Sequence, residues 1–203
     1  MIKNNLSESN QMDWYNKVFV FDDIVNLETQ NKIKDKMLNE ASWSYVSDVT
    51  NPQLNEQQRP GFAHWFVKDE IVRSYLHDEV EPIITNSLKK IQVHGDRRYL
   101  QGRSFLQVPL NIDNREKLDV PHVDIADFKH LVILYYVTDA DGETVIYDNQ
   151  FKADEEIPKF EDLKEKQRVM PKQGRVVCFD GFYWHTSQQP SKGVRCIINY
   201  NVI

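Results

Sequence analysis

The chain has 203 residues, of which 40% are hydrophobic and 11% aromatic, enough for one sizeable core but short of two ordinary domains. Its 31 acidic residues outnumber its 25 basic ones, and the net charge of -6 leaves no basic stripe, so nucleic acid is not indicated as a partner. The longest apolar run, residues 131–137, is too short to span a bilayer, and the N-terminus lacks a hydrophobic targeting core. These features predict one soluble, cytoplasmic domain.

The first part of the chain predicts a short strand followed by two helices. Residues 18–21 form an apolar strand, and Asn26 can cap the helix that follows. The buried face of this helix is predicted to contain Ile33, Met37, Leu38 and Ala41. Residues 47–61 are polar and contain two prolines, which predicts a surface loop that could cover a site as a lid.

A second helix is predicted from about residue 69 to residue 92, kinked at Pro82. Its inward face is predicted to consist of Val72, Leu76, Val80, Ile83, Ile84, Leu88 and Ile91. The helical support of the domain therefore occupies about residues 1–100.

The second half of the chain changes to short apolar runs, which predict strands. These runs are residues 103–110, 131–138, 144–147, 168–170, 174–179 and 195–203. Residues 139–142 and 171–174 are predicted to be hairpin turns. Helices followed by six or more antiparallel strands indicate a double-stranded β-helix (jelly roll, cupin-like), with the N-terminal helices packed on one sheet.

Two cysteines, Cys178 and Cys196, fall within predicted strands. Such sparse cysteines do not resemble the dense pairing of small secreted domains, so they are predicted to be reduced thiols in the core. A bridge between them is the alternative.

The chemistry of the chain is indicated first by His122 and Asp124. They are two residues apart, so in an extended chain both side chains leave the same face and can converge on one ion. Alone, such a pair often only decorates a surface. His185, 61 residues after Asp124, adds a second imidazole and completes the ligand set of a facial Fe(II) triad, which leaves three positions open on the metal.

Arg195 follows His185 by ten residues, at the start of the last predicted strand. Alternation places it on one face with Ile197 and Asn199. A buried arginine requires an anion, and its planar fork pairs with a carboxylate. An ordinary arginine on the surface of an edge strand is the alternative for this residue taken alone.

Together these motifs resemble the 2-oxoglutarate/Fe(II) dioxygenase superfamily, in particular its prolyl 4-hydroxylase-like branch, whose signature is His-x-Asp, a distal His and a later Arg or Lys. Residues 121–124 match the first element, and residues 133–137 and 141–144 look like the strand and turn that follow it. Residues 171–179 resemble the hairpin that leads to the distal histidine. The resemblance covers about residues 103–203 well and the preceding helices more loosely.

The resemblance implies iron at His122, Asp124 and His185, with the distal carboxylate of 2-oxoglutarate at Arg195. Tyr136 aligns with a tyrosine that contacts this carboxylate in some relatives, and an ordinary core tyrosine is the alternative. Where the family often has a tyrosine or asparagine as a further co-substrate contact, this chain offers Gln107 and Asn111.

The implied reaction is a hydroxylation coupled to decarboxylation of 2-oxoglutarate to succinate, with O2 consumed and ascorbate supportive. Asp124 is the residue that halogenating relatives replace by a small one, so its presence favours hydroxylation. The implied substrate is a small molecule or a peptide or protein, a prolyl side chain included. Candidates for the mouth of the site are Trp65, Phe66, Tyr183 and Trp184, although aromatics at such positions often serve packing alone.

Two other functions use the same residues. A cupin-like module could bind a metal or a small acid without oxidation, but it has no need of a buried cation near the metal. A zinc hydrolase could use the same three ligands, but it requires a general base beside the metal-bound water, and no carboxylate in the neighbouring predicted strands stands out for that role.

Overall fold

The computed structural model describes residues 16–49, 59–110, 118–153, 156 and 158–203. Within them, two α-helices lie among the first strands, and the rest of the chain consists of strands and one short 3-10 helix, Phe160–Asp162. In chain order the elements are β1 (Val18–Phe21), α1 (Leu27–Asn39), β2 (Ser44–Val46), β3 (Gly61–Lys68), β4 (Ile71–Val72), α2 (Leu76–Lys90), β5 (Tyr99–Gln107), β6 (Leu131–Tyr136), β7 (Thr144–Gln150), β8 (Glu165–Val169), β9 (Val176–Asp180), β10 (Tyr183–Ser187) and β11 (Arg195–Val202).

The strands form two antiparallel sheets. The major sheet has the order β1-β9-β6-β11-β5-β3-β2, with β4 paired to β3, and the minor sheet has the order β10-β7-β8. Apolar side chains from both sheets, including Leu134 and Ile197 of the major sheet and Ile146 of the minor sheet, form one buried cluster between them. This is the jelly roll that the sequence predicted.

Strict alternation along the major sheet separates two cores. On its outer face Ile133, Ile198 and Tyr200 pack with Ile33 and Ile84 of the two helices. Both helices therefore cover the outer face, as predicted, and the inner face is left to the cleft between the sheets. Cys178 and Cys196 belong to the outer core, and both are free and buried, which confirms the prediction of reduced thiols.

Helix α1 begins where its cap predicts. The Asn26 side chain accepts a hydrogen bond of 2.9 Å from the backbone N–H of Thr29, and Ile33 and Met37 are buried. Leu38 was predicted to face inward but is 38% exposed, since it follows Met37 by one residue and points away from the sheet. Ala41 lies beyond the helix end and packs partly against the same core.

Helix α2 begins later than predicted, at Leu76 rather than near residue 69. Asp69 and Glu70 adopt positive φ angles of 52° and 61°, which turn the chain from β3 back into β4. Val72 therefore lies on a strand and is exposed, contrary to the prediction, whereas the other six predicted inward residues are buried. Pro82 lies inside the helix, which continues through it.

The six predicted strands of the second half are present with small shifts at their ends. The two predicted hairpins are wrong. Residues 139–142 connect β6 to β7, and residues 171–174 connect β8 to β9, so each passes from one sheet to the other instead of joining paired strands. Most of the predicted lid, residues 50–58, lies outside the described residues. No helix in the described part of the chain is long and apolar enough to cross a membrane.

Candidate metal centre

His122, Asp124 and His185 come together in the cleft between the sheets, with one ligand atom from each lying within 4.8 Å of the others. His185 is on β10 of the minor sheet, and the other two residues precede β6. The two histidine backbones exchange hydrogen bonds, from His122 N to His185 O at 2.9 Å and from His185 N to His122 O at 3.0 Å. The predicted triad is therefore assembled by local backbone pairing.

Both imidazoles are prepared to bind a metal through Nε2. The Nδ1 atoms of His122 and His185 lie 3.2 Å and 3.0 Å from the carbonyl oxygens of Val120 and Tyr183. Because a carbonyl only accepts, Nδ1 carries the proton and Nε2 keeps its lone pair. Burial lowers the pKa of His122 to about 4 and also lowers the pKa of His185, so both rings are neutral near pH 7.

Asp124 is held by three side-chain donors that sequence analysis did not identify. Arg103 Nη2 donates to Oδ1 at 2.5 Å, and the side-chain amides of Asn199 and Asn201 donate to Oδ2 at 2.9 Å and 3.0 Å. Burial by itself would raise the pKa of Asp124, but the charge of Arg103, followed by the two histidines, lowers it well below its ordinary range. The carboxylate is therefore an anion with a fixed orientation.

Arg195 is 3% exposed and lines the same cleft. Its Nε donates to the carbonyl of Gly142, Nη1 to Gln107 Oε1 and Nη2 to Thr144 Oγ1, at 2.8 to 2.9 Å. All three acceptors are neutral, and no carboxylate of the described residues lies in ion-pair contact with it. Three of the five N–H groups are thus used, which leaves a buried cation with two spare donors. Burial lowers the pKa of Arg195, yet an arginine remains charged.

The other residues suggested for the co-substrate lie around Arg195. Gln107 accepts from Arg195 and donates from Nε2 to Gln189 at 3.1 Å, so it orients the guanidinium. The Tyr136 hydroxyl donates to Thr144 Oγ1 at 2.8 Å, and Tyr136 is not among the residues that line the cleft. Because Thr144 accepts from both Tyr136 and Arg195, its own O–H is left to donate. Asn111 lies outside the described residues.

A buried ion pair fixes the segment that leads to His122. Arg59 Nε lies 3.0 Å from Asp119 Oδ1, and both side chains are fully buried. Asp119 N donates to the carbonyl of Ser187, and Ser187 Oγ donates to Asp119 Oδ2, at 2.8 Å and 2.9 Å. Burial raises the pKa of Asp119. These contacts attach Asp119, three residues before His122, to β10, the strand that carries His185.

None of the four aromatic residues proposed for the mouth lines the cleft, although Trp65 lies beside Arg103, which does. Trp65 is partly exposed and stands opposite Arg103 in the pairing of β3 with β5. Phe66 is fully buried against Tyr200 on the outer side of the sheet. Tyr183 and Trp184 are buried in separate apolar clusters of the minor sheet, so packing explains both of them.

The arrangement fits iron. Two imidazoles and one carboxylate, with no further candidate ligand grouped with them in the described residues, are the ligand set typical of the facial triad of non-haem Fe(II). Asp124 is also the only carboxylate among the described residues that line the cleft. A metal-dependent hydrolase would need a second acidic group as its base.

Comparison with known proteins finds similarity only among solved structures. No protein-family model matches the chain, and the search of curated proteins found no match. Among solved structures, an oxidoreductase of the 2OG-Fe(II) oxygenase family from Burkholderia pseudomallei has a TM-score of 0.64 and 10% identity, over 91% of this chain and 84% of the other. The viral collagen prolyl hydroxylase from Paramecium bursaria Chlorella virus-1, solved as a 2OG complex, has a TM-score of 0.55 and 14% identity, over 91% and 94%.

A third similar structure is the non-heme alpha ketoglutarate dependent epimerase SnoN from nogalamycin biosynthesis. Its TM-score is 0.62 at 9% identity, over 92% of this chain and 76% of that one. At these identities the comparisons establish the fold, which is that of the 2OG-Fe(II) oxygenases, prolyl hydroxylases among them. The resemblance predicted from the sequence is confirmed at that level.

Proposed function

We propose that the protein is an Fe(II)- and 2-oxoglutarate-dependent dioxygenase that hydroxylates a C–H bond of a small-molecule, peptide or protein substrate. One observation carries this proposal. The cleft that holds His122, Asp124 and His185 also contains the buried guanidinium of Arg195, which has spare donors and no carboxylate partner among the described residues. A metal triad next to a buried cation that makes no ion-pair contact is suited to a diacid that binds both.

In the proposed complex, Arg195 and the Thr144 hydroxyl receive the distal carboxylate of 2-oxoglutarate. Gln107 and Gly142 hold the guanidinium in place, so little side-chain freedom is lost when the acid binds. Tyr136 acts through Thr144, because its hydroxyl donates to the threonine oxygen and so leaves the threonine proton for the ligand. These contacts favour a dicarboxylate over a monocarboxylate in the proposed complex.

At the other end of the cleft, the two Nε2 atoms and the Asp124 carboxylate would hold iron. Bound iron supplies the redox chemistry, in which 2-oxoglutarate, O2 and the substrate C–H group become succinate, CO2 and an alcohol, with one oxygen atom entering succinate and the other the product. Arg103, Asn199 and Asn201 keep the carboxylate ionised and oriented. The apolar walls, including Leu134 and Ile197, keep bulk water away.

The choice of hydroxylation rests on Asp124. The similar structures include a prolyl hydroxylase and an epimerase, so the fold does not select the reaction. A carboxylate in the third ligand position occupies the place that a halide would need, which supports oxygen transfer. Protein substrates, prolyl residues included, and small molecules are both part of the proposal.

A non-oxidative barrel that binds a metal or a small acid is the competing function, although it has no need of a buried cation such as Arg195 beside the metal. The test is to add Fe(II) and then 2-oxoglutarate without oxygen and record the weak visible charge-transfer band of a chelated 2-oxo acid. Air and ascorbate are then admitted, and succinate is measured with peptide and metabolite pools. A band without succinate for any pool would favour the binding module. If the band is absent, the proposed iron and 2-oxoglutarate site is wrong and the proposed function fails.

A further inference from the structure

The inner face of the major sheet continues past the metal centre onto β3. Trp65 stands opposite Arg103 in the β3–β5 pairing, and Phe105 follows Arg103 two residues later on the same face. Arg103 and Phe105 both line the cleft. Lys68 stands opposite Gln101, which precedes Arg103 by two residues on β5. Lys68 therefore lies on the same face as Trp65, about 7 Å away along the strand direction. We call Trp65, Lys68, Arg103 and Phe105 the Trp65 shelf.

Two cations lie near the indole of Trp65. Arg103 Cζ is 5.8 Å and Lys68 Nζ 5.4 Å from the ring centroid. Arg103 is also 5.0 Å from the ring of Phe105. Because aromatic rings attract cations, these contacts hold both charged groups close to the two aromatic rings. The shelf thus presents two positive groups and a flat apolar surface beside the ligand Asp124.

The positive charge of the shelf is only partly balanced. Arg103 pairs with Asp124, whereas Lys68, which is exposed, has no ion-pair partner among the described residues. The Nε of Arg103 is buried and makes no hydrogen bond within the described part of the chain. Together, Lys68, Arg103 and Asp124 carry a formal charge of +1, in a chain whose net charge is -6. An anion that approaches the cleft is therefore drawn to this side.

We propose that the Trp65 shelf binds the substrate, and that the substrate carries a carboxylate or similar anionic group beside a flat or apolar part. The inference rests on the proposed function, because it assigns the substrate of that same site. The apolar part lies on Trp65 and Phe105. The anion meets Lys68, and a neighbouring carbon faces the metal centre. Both a free aromatic acid and a peptide with an acidic side chain carry this chemistry.

The experiment uses protein loaded anaerobically with Fe(II) and 2-oxoglutarate, titrated calorimetrically with matched acids and amides. Phenylacetate and phenylacetamide test the free acid, and the dipeptides acetyl-Glu-Phe-amide and acetyl-Gln-Phe-amide test the peptide. We expect one acid to bind about five-fold more tightly than its neutral amide, since one partly solvated charge contact is worth about 1 kcal/mol. The pair that shows the difference identifies the source of the anion. The preference should shrink as salt is raised.

Variants then locate the contact. Lys68→Gln is expected to reduce the preference for the acid to about two-fold or less, and Lys68→Glu to abolish or reverse it, since each step removes or inverts one charge. Trp65→Leu should weaken acid and amide alike because it removes the flat surface. Lys89→Gln, an exposed lysine on α2 behind the outer face, is the matched control and should change neither affinity.

Equal binding of acid and amide in both pairs, or an undiminished preference in Lys68→Glu, would overturn the shelf proposal. The charge-transfer band of the Fe(II)-2-oxoglutarate complex is recorded in the same samples. If the band is absent from the unmodified protein, the proposed function itself has failed. If it is present while acids and amides bind alike, only the substrate inference has failed.

Discussion

The backbones of His122 and His185 are hydrogen-bonded to each other in both directions, at 2.9 Å and 3.0 Å, and their imidazole centroids are 4.5 Å apart. The separation of the two rings is therefore set by main-chain pairing rather than by flexible side chains. A site built in this way needs little rearrangement to accept an ion, and most of its binding free energy should appear as stabilisation of the folded state.

We expect Fe(II), or Mn(II) as an air-stable substitute, to raise the melting temperature. A free metal concentration 100 times the dissociation constant corresponds to about 2.7 kcal/mol of added stability. His185→Ala should remove this metal-dependent rise and the charge-transfer band, because it deletes one Nε2 ligand. An equal rise in the variant, measured by scanning calorimetry, would contradict the triad. His94→Ala, an exposed histidine elsewhere, is the control.

Arg195→Ala should weaken 2-oxoglutarate binding by about 30-fold or more, since losing one partner of a buried charge pair costs about 2 to 5 kcal/mol. The affinity of Arg195→Lys for 2-oxoglutarate should lie between those of the unmodified protein and Arg195→Ala, because an ammonium replaces the planar fork. Iron affinity should hardly change in either variant. The measurement is a titration of 2-oxoglutarate against the Fe(II)-loaded proteins, with Arg98→Ala, an exposed arginine paired with Glu70, as control. An unchanged dissociation constant in Arg195→Ala would remove this residue from the site.

Asn201→Leu should reduce metal affinity by about 10- to 100-fold, the usual effect of removing a group that orients a metal ligand. Asn201 donates to Asp124 Oδ2 at 3.0 Å and accepts from Gln101 at 2.7 Å. Gln101 therefore holds the Asn201 amide in position to orient the carboxylate. Metal affinity is measured by competition with a chelator of known strength. A value equal to that of the unmodified protein would mean that Asn199 and Arg103 hold Asp124 without help.

Gly102→Ala should destabilise the fold by about 1 to 3 kcal/mol, the range typical of overpacked cores. A Cβ atom at this position would lie 2.4 to 2.8 Å from three ring carbons of Tyr200. Tyr200 cannot withdraw, because it is fully buried and its hydroxyl is 2.9 Å from His77 Nδ1. Urea denaturation gives the loss of unfolding free energy. A midpoint within error of the unmodified protein would show that the ring moves freely.

Stability at acidic pH should depend on Asp22. Hydrogen bonds from Arg175 and then Lys172 lower the pKa of this carboxyl from 3.8 to about 2. Its contribution is therefore complete above about pH 4 and is lost as the pH falls through 2. Because Asp22 is partly solvated, Asp22→Asn should cost only about 0.5 to 1 kcal/mol at pH 6. The difference between the two proteins should vanish near pH 2. A difference that stays constant from pH 6 to pH 2 would rule out this ion pair.

The ligands and Arg195 could be predicted because their signals are local. The spacing of His122 and Asp124 predicts a pair by alternation in an extended segment, although both lie outside the strands of the structure. Arg195 begins a strand with a clear apolar pattern. His185 lies within β10, a strand that the sequence pattern did not predict. The run Tyr183–Ser187 contains a register shift between Tyr183 and His185, which interrupts the alternation that would have revealed it.

The contacts that hold the ligands could not be predicted in this way. Arg103 reaches Asp124 across 21 positions of sequence, and Asn201 does so across 77. Such pairs depend on which strands become neighbours, and the sequence pattern does not determine this. The same cause explains the two incorrect hairpins, since a turn motif shows that the chain bends but not which sheet the next strand joins.

Strand β11 carries Arg195 and Asn199 on one face, four residues apart, which corresponds to about 13 Å along the backbone. In the proposed complex Arg195 receives one end of the co-substrate, and Asn199 holds the carboxylate that binds the metal at the other end. In that complex, the spacing of Arg195 and Asn199 along one hydrogen-bonded strand would set the length of acid that can span the cleft. We expect homologues of 2-oxoglutarate that are one methylene shorter or longer to compete poorly for this site.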